Sequence, residues 1–162
     1  GTSSGFAETS VTRSPAATDV QPVYAPDGRS LVYASLRQGF TRLYRLDLAT
    51  GVETALTDGE SQDRFPAFSP DGSRLAFASN RTGAYELFEL DLATGTLRQL
   101  TDSNAQNGSP AYSPDGTQLL FDSNRGGTYD LYRLTLATRG ITPLTRSQPP
   151  ILNGEGTWAP PR

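Results

Sequence analysis

The chain has no histidine, cysteine or methionine, and all 14 of its basic residues are arginines. These absences exclude the common nucleophile and base pairs built on histidine or cysteine, the soft metal ligands, and Schiff-base chemistry on lysine. Any catalysis would have to use carboxylates. The lack of cysteine does not identify a compartment, because a chain without disulfides fits oxidising and reducing surroundings equally well.

Basic charge and long apolar runs are also scarce. The 14 arginines face 17 acidic residues, and the net charge of -3 supplies no positive field for nucleic acid or an anionic membrane. No apolar run approaches the roughly 20 residues of a membrane helix. The 162 residues fit one domain, and 16 glycines and 12 prolines spread along it favour many turns over long helices.

A long internal repeat organises the chain. The phrase Tyr24-Ala-Pro-Asp-Gly28 returns as Phe68-Ser-Pro-Asp-Gly72 and as Tyr112-Ser-Pro-Asp-Gly116, and both intervals are 44 residues. Trp158-Ala-Pro160 begins the phrase again after 46 residues. At the other end, Val11-Thr-Arg-Ser14 matches Leu144-Thr-Arg-Ser147, so the first residues are predicted to hold the outer strand of a preceding unit.

Each unit is predicted to contain four short antiparallel strands, which is the size of one propeller blade. In the second unit they are the segments 66–69, 74–79, 85–92 and 96–101. The second strand is a nearly continuous apolar run, so Leu75, Phe77, Leu119 and Phe121 are predicted to be core residues. In the third unit Arg139 replaces the glycine of the last hairpin, and a shifted or bulged turn is expected there.

The predicted fold is therefore all-β, with three four-stranded antiparallel blades and partial strands at both ends. The predicted division is an N-terminal segment at 1–18, blades at 19–62, 63–106 and 107–150, and the start of a fourth repeat at 151–162. Propellers typically close with about 4 to 8 blades. We expect the ring to be completed by dimerisation, since two chains supply six blades, or by the remaining blades of a longer propeller.

These phrases resemble the TolB-type, WD-repeat-like β-propeller repeat. The resemblance covers three full copies, about residues 19 to 146, and implies a six-bladed ring. Such blades occur in a periplasmic cell-envelope protein, in the non-catalytic domain of prolyl-type serine peptidases, and in pectate-fragment lyases. The lyase activity is rejected because its histidine is missing here, and the resemblance favours a periplasmic or extracellular location.

In the resembled fold the first strand of each blade lines the central channel. Four polar residues at the start of these strands would then form a ring at one channel mouth. They are Asp19, Asp63, Asn107 and Asn153. The carboxylates of Asp19 and Asp63 would be the ligands if the ring held Ca²⁺, although no cofactor is expected. In the structural alternative, which we favour, each aspartate caps the loop that enters its strand or pairs with the arginine of the loop on the same face, Arg37, Arg81 or Arg125.

Two other recurrent sets are given structural roles. Asp27, Asp71 and Asp115 precede glycine in tight turns and are expected to bond their own backbone. The aromatic set, one large residue in each inner strand, is expected to pack blade against blade. Its members are Tyr24, Phe68, Tyr112 and Trp158.

The sequence is interpreted as a non-catalytic binding or scaffolding module that engages a protein or peptide at the channel mouth. The alternative is a propeller domain or fragment associated with a serine hydrolase or peptidase that lies outside this chain. Variation between copies is the better guide to binding. The linkers that enter each blade vary most, and all are predicted on the same rim.

Overall fold

The computed structural model describes residue 12 and residues 17–147, and these residues form three four-stranded antiparallel sheets. Blade 1 consists of β1 (Thr18–Tyr24), β2 (Ser30–Arg37), β3 (Phe40–Asp47) and β4 (Glu53–Ala55). Blade 2 consists of β5 (Asp63–Phe68), β6 (Arg74–Thr82), β7 (Ala84–Asp91) and β8 (Leu97–Gln99). Blade 3 consists of β9 (Asn107–Tyr112), β10 (Gln118–Ser123), β11 (Asp130–Thr135) and β12 (Gly140–Pro143). The described part has no helix that is long and apolar enough to cross a membrane.

The strand order within each blade follows the chain, so every blade is a simple meander. The second strand is the most buried in blade 1, as its apolar run predicts, whereas in blade 2 the second and third strands each have five buried residues. Leu75, Phe77, Leu119 and Phe121 are all buried, which confirms them as core residues. The all-β prediction and the three four-stranded blades are therefore confirmed, while dimerisation stays a prediction. The predicted outer strand at 11–14, apart from Thr12, and the predicted fourth repeat at 151–162 lie outside the described residues.

The blades pack face to face. We call the face that is turned toward the following blade the forward face, and the opposite one the rear face. The forward face of blade 1 presents Val32, Ala34 and Leu43 to the rear-face residues Leu75 and Phe77 of blade 2. Blade 2 repeats the arrangement with blade 3. That second cluster contains Ala76, Ala78, Leu87 and Leu100 from blade 2 and Leu119, Phe121, Tyr132 and Leu134 from blade 3.

The recurrent aromatic residues take part in this packing where a preceding blade exists. Phe68 packs on the cluster between blades 1 and 2, and Tyr112 packs on the one between blades 2 and 3. Tyr24 of blade 1 is exposed, and Trp158 lies outside the described residues. The packing role is thus confirmed for Phe68 and Tyr112.

Each inner strand bends at the same place. Gln21, Phe65 and Ser109 stand directly before a proline and have left-handed backbone angles, with φ of 56°, 56° and 47°. The pairing of the inner strand with the second strand is irregular at this point in all three blades. A bulge of this kind redirects side chains out of the regular alternation.

The last hairpin of blade 3 is not shifted or bulged, so that expectation is wrong. Arg139 takes the left-handed conformation, with φ of 58°, and its amide donates to the Thr135 carbonyl at 2.8 Å. Gly95 makes the same bond to Asp91 in blade 2, and the strand register after the turn is also the same. The turn geometry is set by the sheet, and the arginine adopts it at a conformational cost.

Replacement of Arg139 by glycine should therefore stabilise the protein. A non-glycine residue in the left-handed region costs roughly 1 kcal/mol, and we expect Arg139→Gly to raise the free energy of unfolding by about that amount. Urea unfolding followed by circular dichroism measures the change.

The matched control is Gly95→Arg, which makes the opposite exchange at the equivalent turn. A side chain there meets open space, so only the backbone strain should appear, as a loss of about 1 kcal/mol. Equal stability of Arg139→Gly and the parent chain would contradict the interpretation.

Candidate functional site at the channel mouth

The inner strands β1, β5 and β9 are neighbours, and their first residues lie at the same end of the sector, beside the loops that follow the second strands. We call this end the mouth. Asp19, Asp63 and Asn107 pair there with Ser35, Ser79 and Ser123 of the second strands. Asn153 falls outside the described residues.

In blade 2 the mouth aspartate is bound to the recurrent arginine. The Arg81 Nη2 atom lies 3.1 Å from both carboxylate oxygens of Asp63, which is fully buried. Arg81 also donates through Nε to the Ser79 hydroxyl, and its guanidinium lies over the Phe88 ring. The arginine is held on three sides, so it fixes the loop to the strand.

Blade 3 makes the same arrangement with an amide in place of the carboxylate. Arg125 donates to Asn107 Oδ1 at 2.8 Å and to the Ser123 hydroxyl at 3.0 Å. The guanidinium stacks over Phe121 and Tyr132. Burial lowers the pKa of Arg125 from its usual value.

Blade 1 departs from this pattern. Arg37 donates to Glu53 Oε2 at 3.0 Å instead of to Asp19, and Asp19 accepts a hydrogen bond from the Ser35 hydroxyl at 2.5 Å. The expected Arg37–Asp19 pair is therefore wrong.

The reason is Glu53, which stands where blades 2 and 3 have Leu97 and Ile141. Glu53 also accepts a hydrogen bond from the Tyr33 hydroxyl. The Tyr33 bond, followed by the Arg37 bond, lowers the pKa of Glu53 despite its partial burial.

A second carboxylate explains why blade 3 carries asparagine in the ring. Glu86 is buried and accepts bonds from the backbone amides of Ser103 and Asn104 and from the Thr101 hydroxyl. Its Oε2 atom also accepts from Asn107 Nδ2 at 2.7 Å. An aspartate at position 107 would place two carboxylates in contact, whereas the amide supplies the donor that Glu86 needs.

The same logic explains the aspartate of blade 2. The residue of blade 1 that corresponds to Glu86 is Arg42, which donates to the Gly59 carbonyl. Without a carboxylate in the preceding blade, Asp63 is free to pair with Arg81. In blades 2 and 3 the ring residue is thus matched to the charge that the previous blade presents.

Four of the five side-chain oxygens of Asp19, Asp63 and Asn107 contact internal partners. Both oxygens of Asp63 contact Arg81, and Oδ1 of Asn107 contacts Arg125. Within residues 17–147 there is no group of three or more acidic side chains that would suit a metal ion. Ca²⁺ binding by Asp19 and Asp63 remains a prediction of the sequence alone.

The turn aspartates are structural, as expected. The Ser69 hydroxyl and the Ser73 amide both donate to Asp71, and the Ser69 bond is the larger cause that lowers the pKa of Asp71 to about 2. Asp115 is bound in the same way by Ser113 and Thr117. Asp27 accepts from the Arg29 amide.

A cleft of about 320 Å³ opens at the mouth between blades 2 and 3. It is lined by Arg64, Phe65, Tyr85, Gln106, Asn107, Gly108, Asp122 and Tyr129. The bulge of β5 brings Arg64 and Phe65 to its rim, and the Arg64 guanidinium lies 5.5 Å from the centre of the Tyr85 ring. Phe65 is 38% exposed and Tyr129 is 59% exposed, so the aromatic wall faces solvent.

Gly108 and Asp122 shape the far side of this cleft. A Cβ atom on Gly108 would lie 3.2 Å from Asp122 Oδ2, tighter than ordinary contact. Blades 1 and 2 have larger residues, Val20 and Arg64, at the position of Gly108, and alanine at the position of Asp122. Relative to the other blades, blade 3 has lost the side chain at position 108 and gained a carboxylate at position 122. This carboxylate lies beside the cleft.

Sequence reasoning missed the cleft and Glu86. The sequence does contain a signal for the cleft, which is the difference between copies at the two residues before each inner-strand proline. These residues are Val20-Gln21, Arg64-Phe65 and Gly108-Ser109. The linkers, which were favoured instead, contribute Gln106 to the cleft.

Comparison with known proteins fits this geometry. The chain matches the family described as the TolB beta propeller domain over residues 3–160. The chain belongs to this family. A search of curated proteins found no match.

Solved structures agree with the family assignment. TolB from Acinetobacter baumannii is 28% identical with a TM-score of 0.74, and the match covers 80% of this chain and 32% of that one. A protein assigned as TolB from Agrobacterium tumefaciens is 25% identical with a TM-score of 0.71, over 76% of this chain and 45% of that one. A mutant of puromycin hydrolase in complex with PGG is 25% identical with a TM-score of 0.66, over 85% of this chain and 22% of that one. The present chain thus spans less than half the length of each of these proteins.

The Glu86–Asn107 contact can be tested by one isosteric exchange. Asn107→Asp replaces the donor to a buried carboxylate by a second carboxylate, and we expect it to lower the free energy of unfolding at pH 7 by about 2–3 kcal/mol. The double variant with Glu86→Gln restores a donor and acceptor pair and should recover most of this loss.

Asn124→Asp is the matched control, because it adds the same charge nearby while the Oδ1 atom that accepts from the Gln106 amide is kept. Chemical denaturation of the four proteins measures the effects. Equal losses in Asn107→Asp and Asn124→Asp would show that the contact with Glu86 has no special weight.

Proposed function

We propose that the chain is a non-catalytic binding module whose mouth engages a segment of a protein or peptide. The observation that carries the proposal is the cleft between blades 2 and 3, where exposed aromatic rings, an arginine and a carboxylate meet. Aromatic and arginine side chains supply most of the binding free energy in many protein interfaces.

The cleft has the features of a peptide site. Phe65 and Tyr129 offer apolar surface for a side chain of the ligand, and Arg64 is held over Tyr85 with its charge open to a carboxylate. Asp122 on the other side suits a basic group. A segment with an apolar side chain between an acidic and a basic group would satisfy all three.

The mouth arginines have a different role in this proposal. Arg81 and Arg125 are bound to Asp63, Asn107 and the neighbouring serines. Their guanidinium donors are engaged within the protein, so they hold the loops and inner strands in place around the cleft. A rigid scaffold lowers the entropy cost of binding, because fewer groups must be ordered when the ligand arrives.

We also propose that additional blades complete the ring, from a second copy of the chain or from further sequence of the same protein. Three blades are fewer than the roughly four to eight that close a propeller. A periplasmic or extracellular location is proposed on the family resemblance alone.

A second candidate function is favoured by the puromycin hydrolase match. In this alternative the blades belong to a propeller that accompanies a serine hydrolase or peptidase outside this chain. The support is the 25% identity over 85% of the chain, which corresponds to only 22% of the hydrolase. A hydrolase encoded in the same reading frame would support this alternative.

The binding proposal can be tested with a phage-displayed library of random peptides, selected on the immobilised chain. The affinity of selected peptides is then measured by calorimetry on the parent and on the double variant Arg64→Ala with Phe65→Ala. We expect the double variant to lose at least about 2 kcal/mol of binding free energy, as for the centre of an interface.

The control removes an arginine and an apolar residue away from the mouth, in Arg29→Ala with Leu48→Ala. Both residues are exposed, near the Pro-Asp-Gly turn of blade 1 and the β3–β4 turn. Peptides that bind the cleft variant and this control with equal affinity, or a failure to select any peptide, would count against the mouth as the binding site.

A further inference from the structure

The bulge in the inner strand of blade 2 turns a backbone N–H toward blade 1. This N–H belongs to Phe65, and it donates to the side-chain oxygen Oε1 of Gln21 at 2.8 Å. Gln21 and Phe65 occupy the same position in the bulges of their blades. Blade 1 therefore supplies the acceptor for the bulge of blade 2.

Blade 3 repeats the bulge without the acceptor. Its equivalent residue is Ser109, with φ of 47° against 56° at Phe65. In the geometry of the previous pair, the side chain facing the Ser109 N–H is that of Phe65, which has no oxygen. Within residues 17–147 no side-chain oxygen is bonded to this N–H, and the register of β9 with β10 passes over Ser109.

The open N–H lies at the cleft between blades 2 and 3. Its nitrogen is bonded to Gly108, and both Gly108 and Phe65 line the cleft. Ser109 itself is exposed, so a ligand can reach the group. Among the three described blades, only blade 3 has glycine directly before the bulge residue, where the others have Val20 and Arg64. The approach to the N–H is thus free of a preceding side chain.

We propose that the Ser109 N–H donates to a neutral carbonyl oxygen of the ligand, in the place that Gln21 Oε1 takes at Phe65. The ligand is then an extended peptide segment that presents a main-chain carbonyl, or the carbonyl of an asparagine or glutamine side chain, beside the Phe65 ring. Bonds to backbone groups contribute affinity in many complexes with extended peptides. The inference rests on the proposed function and adds the polar contact that fixes the segment in the cleft.

The charge beside this N–H favours a neutral acceptor over a carboxylate. A Cβ atom on Gly108 would lie 3.2 Å from Asp122 Oδ2, so the Asp122 carboxylate is next to the peptide unit that carries the N–H. A ligand carboxylate at Ser109 would meet a like charge there, whereas a carbonyl oxygen would not. Gln21 gives the internal precedent, because its accepting oxygen is also that of a neutral amide.

The backbone of the bulge also supports a role in binding. Bulges and left-handed residues other than glycine are found beside ligand sites, because they redirect backbone groups out of the regular ladder. In blade 2 this geometry serves the contact with Gln21. In blade 3 the same geometry has no such internal partner among residues 17–147, and it leaves a donor at the cleft.

Exchange of backbone N–H groups with solvent, followed residue by residue by NMR, tests whether the Ser109 N–H is open in the free protein. We expect exchange at Ser109 to be several-fold faster than at Phe65, which is bonded to Gln21. Phe65→Gln places at position 65 the acceptor that Gln21 supplies, and it should slow exchange at Ser109 several-fold. Phe65→Leu is the matched control, because it removes the ring and brings no acceptor, so exchange should stay fast.

Peptides selected on the parent chain test the contact with the ligand. A bound peptide should slow exchange at Ser109 in the parent. The affinity of the same peptide should be about tenfold lower for Phe65→Gln than for Phe65→Leu, which is about 1.4 kcal/mol, because the new glutamine oxygen competes for the N–H.

Variants of the peptide distinguish the two sources of the oxygen. Each asparagine or glutamine of the peptide is replaced by alanine in turn. A loss of about tenfold at one position identifies a side-chain carbonyl, and unchanged affinity at all of them identifies a main-chain carbonyl.

Three results overturn the inference while the proposed function stands. One is slow exchange at Ser109 in the free parent, since the N–H would already be bonded. Another is a peptide that loses affinity in Arg64→Ala with Phe65→Ala but leaves exchange at Ser109 unchanged when bound to the parent. The third is equal affinity of Phe65→Gln and Phe65→Leu. A failure to select any peptide would instead contradict the proposed function, and this inference with it.

Discussion

Face-to-face packing of the blades is the interaction on which the rest of the structure depends. The four-stranded sheets carry apolar side chains on both sides of the second strand, and neighbouring blades cover many of them. Phe77 reaches complete burial because blade 1 covers it, and Leu87 because blade 3 does. No blade is described after blade 3, and there Leu131, the counterpart of Leu87, stays half exposed.

Polar contacts between neighbouring blades also determine which residue is compatible with each ring position. In blades 2 and 3 the ring residue is matched to the residue that the previous blade presents. Asn107 donates to Glu86, whereas Asp63, which follows Arg42 of blade 1, pairs with Arg81. A buried carboxylate without donors would be costly, and this complementarity avoids it. The mouth arginines donate to groups of their own blades, so in the proposed function the mouth serves as a frame and the cleft beside it binds the ligand.

The fold could be predicted from the sequence because the same strand pattern occurs in three copies of the repeat. The Pro-Asp-Gly turns and the apolar second strand each have a local cause, and the structure confirms both. Arg139 was mispredicted because the turn is dictated by the register of β11 and β12 and not by the residue in it. Arg37 was mispredicted because its competing partner, Glu53, comes from a different strand. Glu86 and the cleft depend on contacts between blades, which no single copy of the repeat contains.

Amide hydrogen exchange, resolved by residue, tests the dependence of each blade on its neighbours most directly. Blade 2 is covered on both faces, so the amides of β6 should exchange most slowly and only through global unfolding. The amides of β2 and β10 should exchange faster, through opening of the end blades, with free energies below the global value. Equal protection of all three second strands, or greater protection of β2 or β10 than of β6, would contradict the account.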